Sequence, residues 1–153
     1  MARETVLITG ASAGLGVEFA KLFATDGADL VLVARREDRL RALAGELAAE
    51  HGIAAHPIAA DLAAPGAVAD LVGRLTADGL AIDVLVNNAG FGARGAFVEI
   101  DADRQAAMTR LNIGALTDLS RALLPGMIAR DRGGILNVAS MAGFQAGPYM
   151  AVY

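Results

Sequence analysis

The stretch TGASAGLG, residues 9–16, separates two segments with different hydrophobic periods. Before it, residues 5–8 are apolar and rich in β-branched side chains, which is typical of a buried strand. After it, residues 17–24 carry apolar side chains at helical spacing. A glycine turn between a strand and a helix suits a phosphate, because glycines let the anion approach the backbone and the helix N-terminus presents free N–H groups. A purely structural turn is the alternative, since the spacing G-x3-G-x-G differs from the commoner G-x-G-x-x-G.

The whole chain has 153 residues, a net charge of −4, 55% hydrophobic residues and a mean hydropathy of +0.47. This size and composition predict one domain with a core. We expect no membrane span, because no apolar run approaches the roughly 18 residues that one needs, and no nucleic-acid partner, because there is no long basic run. Cysteine is absent, and His51 and His56 lack ligand spacing, so no metal site is expected. The strand pattern begins too early for a signal peptide, which favours a cytoplasmic location.

Strand and helix patterns alternate along the rest of the chain. Further strands are predicted at residues 29–34, 54–59, 82–86 and 135–140, and helices at residues 35–50, from Pro65 onward, and over most of residues 101–132. Pro125-Gly126 is expected to bend or interrupt the last helix. The alternation predicts an α/β fold with a Rossmann-like, doubly wound parallel sheet of strand order 3-2-1-4-5. Its ligand then binds at the carboxyl ends of strands 1 and 4, where the order reverses.

The second predicted strand ends at Ala34, and Arg35 and Arg36 follow it. A site that prefers NAD usually has a carboxylate here for the ribose hydroxyls, whereas this chain has an apolar residue followed by two guanidinium groups. Arginine suits a 2′-phosphate because its planar fork donates two hydrogen bonds at once. Arg35 and Arg36 therefore favour NADP(H) over NAD(H). The alternative is that both are solvated residues at the start of a charged helix, and for Arg36 the two interpretations are balanced.

Polar residues also follow the third and fourth predicted strands. Asp61, followed by Leu62, can hydrogen-bond an adenine or cap the next helix, and from the residues alone capping is favoured. The sequence NNAG at residues 87–90 leaves room for a flat ribose and nicotinamide, although an isolated tetrapeptide of this kind is more often a turn.

Three residues in the second half carry groups suited to carbonyl chemistry. Asn112 lies in an apolar helical stretch, where asparagine is unfavourable. It therefore holds a water, accompanies a local backbone distortion, or is an ordinary buried polar residue with a partner. Ser140 ends the fifth predicted strand, and Tyr153 is the last residue. Two hydroxyls that converge on one carbonyl oxygen polarise and then protonate it, provided that a cation makes the tyrosine a better acid. Tyr149 is expected to serve packing or the substrate mouth.

Together these motifs resemble the short-chain dehydrogenase/reductase family, whose T-G-x3-G-x-G and N-N-A-G motifs are matched by residues 9–16 and 87–90. The resemblance implies an NADP(H)-dependent oxidoreductase that reduces a ketone or aldehyde, or oxidises the alcohol. It implies that Tyr153 is the general acid or base, that Ser140 holds the substrate oxygen, and that Asn112 helps to organise a water. It also places Asp61 beside the adenine instead of at a helix cap. The cofactor-binding residues that it implies are Gly10, Ser12, Gly14, Leu15, Gly16, Arg35, Arg36, Asp61, Leu62, Asn88, Ala89 and Gly90.

The family motif around the tyrosine is Y-x-x-x-K, and its lysine would lie four residues beyond Tyr153. We therefore expect the chain to be one NADP(H)-binding domain, residues 1–153, that corresponds to the N-terminal portion of the family fold. The later strands of that fold would be missing, and the fragment would be inactive by itself. The alternative is a non-catalytic NADP(H)-binding module. For the intact protein the resemblance implies a homodimer or homotetramer. Its small-molecule substrate is expected to be apolar, because part of the substrate pocket is expected to be lined by Phe91, Met141, Phe144 and Tyr149.

Overall fold

Five parallel strands form the centre of the structure, a computed structural model that describes residues 3–153. The strands are β1 (Thr5–Thr9), β2 (Asp29–Ala34), β3 (Ala55–Ala59), β4 (Val84–Asn87) and β5 (Gly134–Asn137). They form one sheet in the order β3-β2-β1-β4-β5, which confirms the predicted topology. Because the order reverses between β1 and β4, the carboxyl ends of these two strands form the crevice in which a doubly wound sheet binds its ligand.

Helices connect the strands and cover both faces of the sheet. They are α1 (Leu15–Thr25), α2 (Glu37–His51), α3 (Ala67–Ala77), α4 (Ala102–Thr109) and α5 (Leu116–Ala129), with a π-helical turn at Arg110–Ala115 and a 3-10 turn at Met141–Gly143. Within residues 3–153, no helix has both the length and the hydropathy that crossing a bilayer requires.

The core has two layers because successive residues of each strand face opposite sides of the sheet. Val6 and Ile8 of β1 pack in the layer that contains α1 and α2. Leu7, between them, packs in the layer that contains α3 and α5. All three side chains are fully buried, and burying one such side chain contributes about 1.5–3 kcal/mol. A parallel sheet covered on both faces therefore needs strands that are largely apolar, as the inner residues of β1 and β2 are.

Two helices begin later than the sequence pattern predicts. Arg36 has an extended backbone, so α2 begins at the next residue and not at Arg35. Pro65 belongs to a turn before α3, and Gly66 then adopts a left-handed conformation with φ of +79°, which prevents a helix from passing through it. Both arginines therefore lie in the connection between β2 and α2, outside the helix.

The fifth strand is shorter than predicted. It ends at Asn137, three residues before Ser140, because its partner β4 ends at Asn87 in the paired position. The Val138 N–H still donates to the carbonyl of Asn87 at 3.0 Å, but the chain then turns away from the sheet. Ser140 is consequently the N-cap residue of the 3-10 turn instead of the end of a strand.

Of the two outcomes expected at Pro125-Gly126, the interruption is wrong, since α5 continues through both residues, and the bend stays a prediction. Proline removes only one backbone hydrogen bond from a helix. Leu119 and Met127, on either side of Pro125, are both buried in the layer against the sheet. Packing of this face therefore outweighs the local cost of the proline.

An ionic cluster lies at the amino-terminal ends of the strands, whereas the glycine turn follows the carboxyl end of β1. Asp83, immediately before β4, is only 5% exposed. Its carboxylate accepts a hydrogen bond from the Thr5 N–H at 3.1 Å and from the guanidinium of Arg132, and it lies 3.4 Å from Arg130 Nη2. Arg130 also donates to the carbonyl of Ile82 at 2.7 Å. The cluster joins the chain after α5 to the beginnings of β1 and β4.

Candidate functional site

The glycine turn between β1 and α1 is uncovered at Gly14 and tightly packed at Gly16. Gly10 and Gly14 have φ values of +70° and +58°, which side chains rarely adopt. A Cβ built on Gly14 would meet nothing within 4 Å, whereas one built on Gly16 would lie 2.4 Å from the carbonyl oxygen of Gly10. Gly14 therefore leaves its backbone accessible at the N-terminus of α1, and Gly16 lets the helix approach the turn. This combination fits an anion at the helix N-terminus.

Hydrogen bonds from Thr9 join the ends of the two central strands. Its hydroxyl donates to the carbonyl of Val86 at 3.2 Å and accepts from the N–H groups of Asn88 and Ala89 at 3.0 and 2.9 Å. The Asn88 amide donates back to the carbonyl of Thr9 at 2.9 Å. The NNAG segment and the glycine turn are thus held together at the point where the strand order reverses.

A cleft of about 340 Å³, here the first cleft, runs across the ends of β1, β2 and β3. It collects ten of the twelve residues expected to bind the cofactor; of the other two, Gly14 is the N-cap residue of α1, and Gly16 is buried in its first turn. The lining residues are Gly10, Ser12, Ala13, Leu15, Val33, Ala34, Arg35, Arg36, Ala60, Asp61, Leu62, Asn88, Ala89, Gly90, Phe91 and Leu111.

The two arginines of the first cleft differ in their contacts. Arg36 donates to Ser12 Oγ from Nε at 3.2 Å and from Nη2 at 3.0 Å, and Nη2 also lies 3.2 Å from the Ser12 carbonyl oxygen. Across the part of the chain that the structure describes, the Arg35 side chain makes no hydrogen bond or ion pair. Arg35 is therefore the guanidinium with its donors available to a ligand.

Asp61 lines the first cleft and does not cap a helix. Its carboxylate accepts from the Ala63 N–H at 3.1 Å, which closes a local turn. Because α3 begins only at Ala67, the capping interpretation is wrong. Asp61 and Leu62 both line the first cleft.

A second cleft of about 570 Å³ brings the three expected catalytic residues together. Asn112, Ser140 and Tyr153 all line it. It shares Leu15 and residues 88–91 with the first cleft, so the two clefts adjoin at the end of β4. Its other lining residues are Asn87, Gly92, Leu116, Asn137, Val138, Ala139, Gly143 and Phe144.

Asn112 lies in the π-helical turn, so the local distortion considered from the sequence is present. Its Oδ1 accepts from the Phe91 N–H at 3.2 Å, and its Nδ2 donates to the Phe91 carbonyl at 2.9 Å. A Cβ built on Gly90 would lie 3.2 Å from the same Oδ1. Asn112 is therefore also a polar side chain with a hydrogen-bond partner, as the sequence analysis considered. Its two bonds to Phe91 hold the loop after β4 against the π-helical turn.

Ser140 and Tyr153 reach the second cleft from the irregular segment after β5. Ser140 Oγ accepts from the Ala142 N–H at 3.2 Å. The Tyr153 ring lies beside the backbone of Gly92, where a built Cβ would be 3.5 Å from ring atom Cδ2. No hydrogen bond joins the two hydroxyls within residues 3–153. Their convergence on one substrate oxygen stays a prediction.

Tyr149 lines neither cleft and is 62% exposed. Its φ of +64° is unusual for a residue other than glycine. Its carbonyl oxygen accepts from the Gly95 N–H at 2.9 Å, which joins the segment before Tyr153 to the loop after β4. The backbone of Tyr149 therefore has a structural contact, while the residue lines neither of the two clefts.

Sequence reasoning missed several lining residues of the first cleft. Leu111 reaches it from the π-helical turn, next to Asn112, and Ala60 reaches it next to Asp61. Proximity to those two polar residues was the only available signal. Phe91, considered only for the substrate, lines both clefts and carries the Arg104 guanidinium 5.3 Å from its ring centroid. A cation over an aromatic face is favourable by about 0.5–1 kcal/mol at an exposed site.

Replacing Gly16 by alanine is expected to disrupt the glycine turn. The new Cβ would lie 2.4 Å from the Gly10 carbonyl oxygen, so the turn must move, which costs about 1–3 kcal/mol and displaces its N–H groups. Gly45→Ala in α2 is the matched control, because a Cβ there meets nothing within 4 Å. Chemical denaturation measures the loss, and unchanged stability for Gly16→Ala would contradict this account of the turn.

Comparison with known proteins agrees with this geometry. The family model for short chain dehydrogenases matches residues 4–153. Dehydrogenase/reductase SDR family member 7B of Bos taurus is 38% identical over 97% of this chain and 47% of its own length. The chain spans about half the length of the curated relatives that it matches. This agrees with the expectation that it corresponds to a portion of the family fold.

Two solved structures show the same fold. The bulky-bulky ketone specific alcohol dehydrogenase from Comamonas testosteroni superposes with a TM-score of 0.92 and 37% identity, over 100% of this chain and 61% of that one. A short-chain dehydrogenase from Sphingobium yanoikuyae, in complex with NADPH, has a TM-score of 0.91 and 43% identity, over 98% of this chain and 58% of that one.

Proposed function

Because the chain belongs to the short-chain dehydrogenase/reductase family, we propose that it carries the cofactor site and part of the catalytic site of an NADP(H)-dependent oxidoreductase. The reaction converts a ketone or aldehyde to the alcohol, or the reverse. The observation that supports this most directly is that Asn112, Ser140 and Tyr153 line one cleft, which adjoins a second cleft beside the glycine turn. On this proposal, a donor set for a carbonyl oxygen lies next to the site for the nucleotide.

The lining of the first cleft supports a dinucleotide that lies along it and reaches the adjoining second cleft. The open backbone at Gly14 and the N-terminus of α1 would hold the pyrophosphate. Asp61 and Leu62 would flank the adenine, and Ala89 and Gly90 would leave space for the nicotinamide ribose. When bound, NADP(H) supplies or accepts the hydride.

The side chains of the second cleft would handle the proton and the substrate oxygen. Ser140 Oγ already accepts from the Ala142 N–H, so its own proton is available to the substrate oxygen. Tyr153 would donate its proton to that oxygen during reduction and take it back during oxidation. Asn112 uses one amide hydrogen and one lone-pair direction on Phe91, which leaves another of each to hold a water.

Arg35 is proposed to select NADP(H). Arg35→Met is expected to raise the Kd for NADPH about 10- to 100-fold, because a charge-assisted hydrogen bond contributes about 1.5–3 kcal/mol. The Kd for NADH should be unaffected, since NADH has no 2′-phosphate. Fluorescence titration measures both constants, and Arg39→Met, at an exposed position of α2 outside both clefts, is the control. Equal weakening of both cofactors would contradict this role.

The activity is tested with the full-length protein, with NADPH and NADH offered against a panel of ketones and aldehydes that includes bulky apolar ones. Cofactor oxidation that depends on the carbonyl, and is faster with NADPH, is the expected result. Phe91 and the 89%-exposed Phe144, both on the second cleft, support an apolar substrate. Tight NADPH binding without turnover of any carbonyl would instead favour the non-catalytic binding module.

We also infer that the full-length protein forms a dimer or tetramer. Ile113, Leu124 and Ile128 expose large apolar side chains along the π-helical turn and α5. Apolar side chains on one helix surface are typical of a buried interface. Light scattering of the full-length protein measures the oligomeric state.

A further inference from the structure

Within residues 3–153, Phe91 is the one aromatic residue that lines both clefts. Its backbone is fixed by Asn112, which accepts from the Phe91 N–H at 3.2 Å and donates to the Phe91 carbonyl at 2.9 Å. The side chain is only half-buried and turns about two rotatable bonds, a freedom that these backbone contacts do not remove. Because the clefts adjoin at this residue, the orientation of the ring sets the boundary between them.

Arg104 supplies a contact for the ring. Its guanidinium carbon lies 5.3 Å from the centroid of the Phe91 ring, within the distance of about 6 Å at which a cation is attracted to an aromatic face. In the part of the chain that the structure describes, this guanidinium makes no hydrogen bond or ion pair, so the ring is its specific partner. Arg104 itself lines neither cleft. Its effect on a bound molecule is therefore expected to pass through Phe91.

The first turn of α4 fixes the position from which Arg104 reaches the ring. Asp101 caps this helix, because its carboxylate accepts from the Arg104 N–H at 2.8 Å. In the same turn, Gln105 Nε2 donates to the carbonyl of Phe97 at 2.8 Å, which joins α4 to the loop that follows Phe91. The guanidinium and the ring are thus carried by two anchored stretches of backbone.

From this arrangement we infer that Arg104 is a positioning residue, whose charge holds the Phe91 ring as a fixed wall between the cofactor and the substrate. The ring presents an apolar surface to the part of the substrate that lies next to the nicotinamide. The inference rests on the proposed function, because it requires NADP(H) in the first cleft and a carbonyl substrate in the second. It adds a residue from outside both clefts, which acts on substrate affinity and not on proton transfer.

Two substitutions in the full-length protein separate the charge of Arg104 from its length. Arg104→Met removes the charge, and it is expected to raise the KM for a bulky apolar ketone about two- to fivefold, the factor that a cation–π contact at an exposed site contributes. The kcat should change by less than about twofold. Arg104→Lys keeps the charge and should recover most of the affinity. Arg74→Met is the control and should change neither constant, since Arg74 is an exposed residue of α3 outside both clefts.

Fluorine-19 NMR of the full-length protein observes the ring directly, without cofactor or substrate. With 4-fluorophenylalanine at position 91, the wild-type protein should give one resonance, because the ring is held in one rotamer. Arg104→Met should broaden or split this resonance, and Arg104→Lys should restore it. A wild-type protein that reduces no carbonyl contradicts the proposed function, whereas the resonance tests the positioning of the ring by itself. The two failures are therefore distinguishable.

Three results would overturn the inference. If Arg104→Met leaves either the KM or the resonance unchanged, the contact does not position the ring for the substrate. If Arg104→Lys is impaired as much as Arg104→Met, the charge is not what holds the ring. The third concerns Phe91→Leu, which has no ring and in which Arg104→Met should have no further effect. If Arg104→Met raises the KM again in that background, Arg104 acts on the substrate independently of Phe91.

Discussion

Replacing Tyr153 by phenylalanine is expected to lower the kcat of the full-length protein about 10²- to 10⁴-fold, the usual contribution of a general acid or base. The substitution removes only the hydroxyl oxygen. The ring that lies beside Gly92 is kept, so the wall of the second cleft should stay in place. Because Tyr153 is outside the first cleft, the Kd for NADPH should change by less than about twofold. Steady-state kinetics and cofactor titration of the same sample measure both quantities.

Tyr149→Phe is the matched control for this prediction. Tyr149 is four residues earlier, is 62% exposed and lines neither cleft, and its contact with Gly95 uses the backbone carbonyl. Removal of its hydroxyl should therefore leave kcat unchanged. Full turnover in Tyr153→Phe, or a loss confined to Tyr149→Phe, would show that the general acid had been assigned to the wrong residue.

Asp83→Ala is expected to lower the free energy of unfolding by about 3 kcal/mol. The substitution leaves two guanidinium groups and the Thr5 N–H without their carboxylate partner. This value is the lower end for a broken buried ion pair, because the side chains of Arg130 and Arg132 are 37% and 40% exposed and reach water. The loss should be accompanied by little change in NADPH affinity of the folded fraction, since the cluster lies at the amino-terminal ends of the strands, whereas the glycine turn follows the carboxyl end of β1.

Urea denaturation of the full-length protein measures this loss. Asp78→Ala provides the comparison, because Asp78 is an exposed aspartate at the end of α3 and is outside the ion pairs of the described chain. We expect Asp78→Ala to change the free energy of unfolding by less than about 0.5 kcal/mol. Equal, small effects for the two aspartates would mean that the cluster around Asp83 contributes little to stability.

The strand order was predictable because it follows from hydrophobic patterns within short segments, and each predicted strand and helix forms near its predicted position. Largely apolar strands alternate with helical periods, and the crossover rule then leaves few arrangements of the sheet. The positions of the NNAG segment and the glycine turn were predictable for the same reason. Both follow the carboxyl ends of β4 and β1, the two strands between which the strand order reverses. Boundaries were less accurate. The fifth strand ends early because β4 supplies no partner beyond Asn87, and a pairing partner is not visible in a strand's own sequence.

The composition of the clefts was predicted only where a motif marked it. Leu111 has no distinguishing chemistry, and it reaches the first cleft because the turn containing Asn112 carries it there. The contact between Arg36 and Ser12 depends on how the ends of β1 and β2 lie side by side, which no spacing in the sequence shows. For Asp61, local preference favoured a cap, and the later start of α3 decided against it.

The π-helical turn at Arg110–Ala115 also shifts the angular phase of the long helical segment. A π-helix bonds from i to i+5, so the turn holds one more residue than a regular α-helix would. Since each α-helical residue advances by about 100° around the axis, Met108 before the turn and Leu119 after it, eleven residues apart, would lie only about 20° apart on one unbroken helical wheel. The extra residue rotates them out of this alignment, and both are buried, Leu119 in the layer that contains α3. Deleting a single residue from this turn would therefore restore a regular helix with its two halves in nearly their present orientation, and both side chains should stay buried.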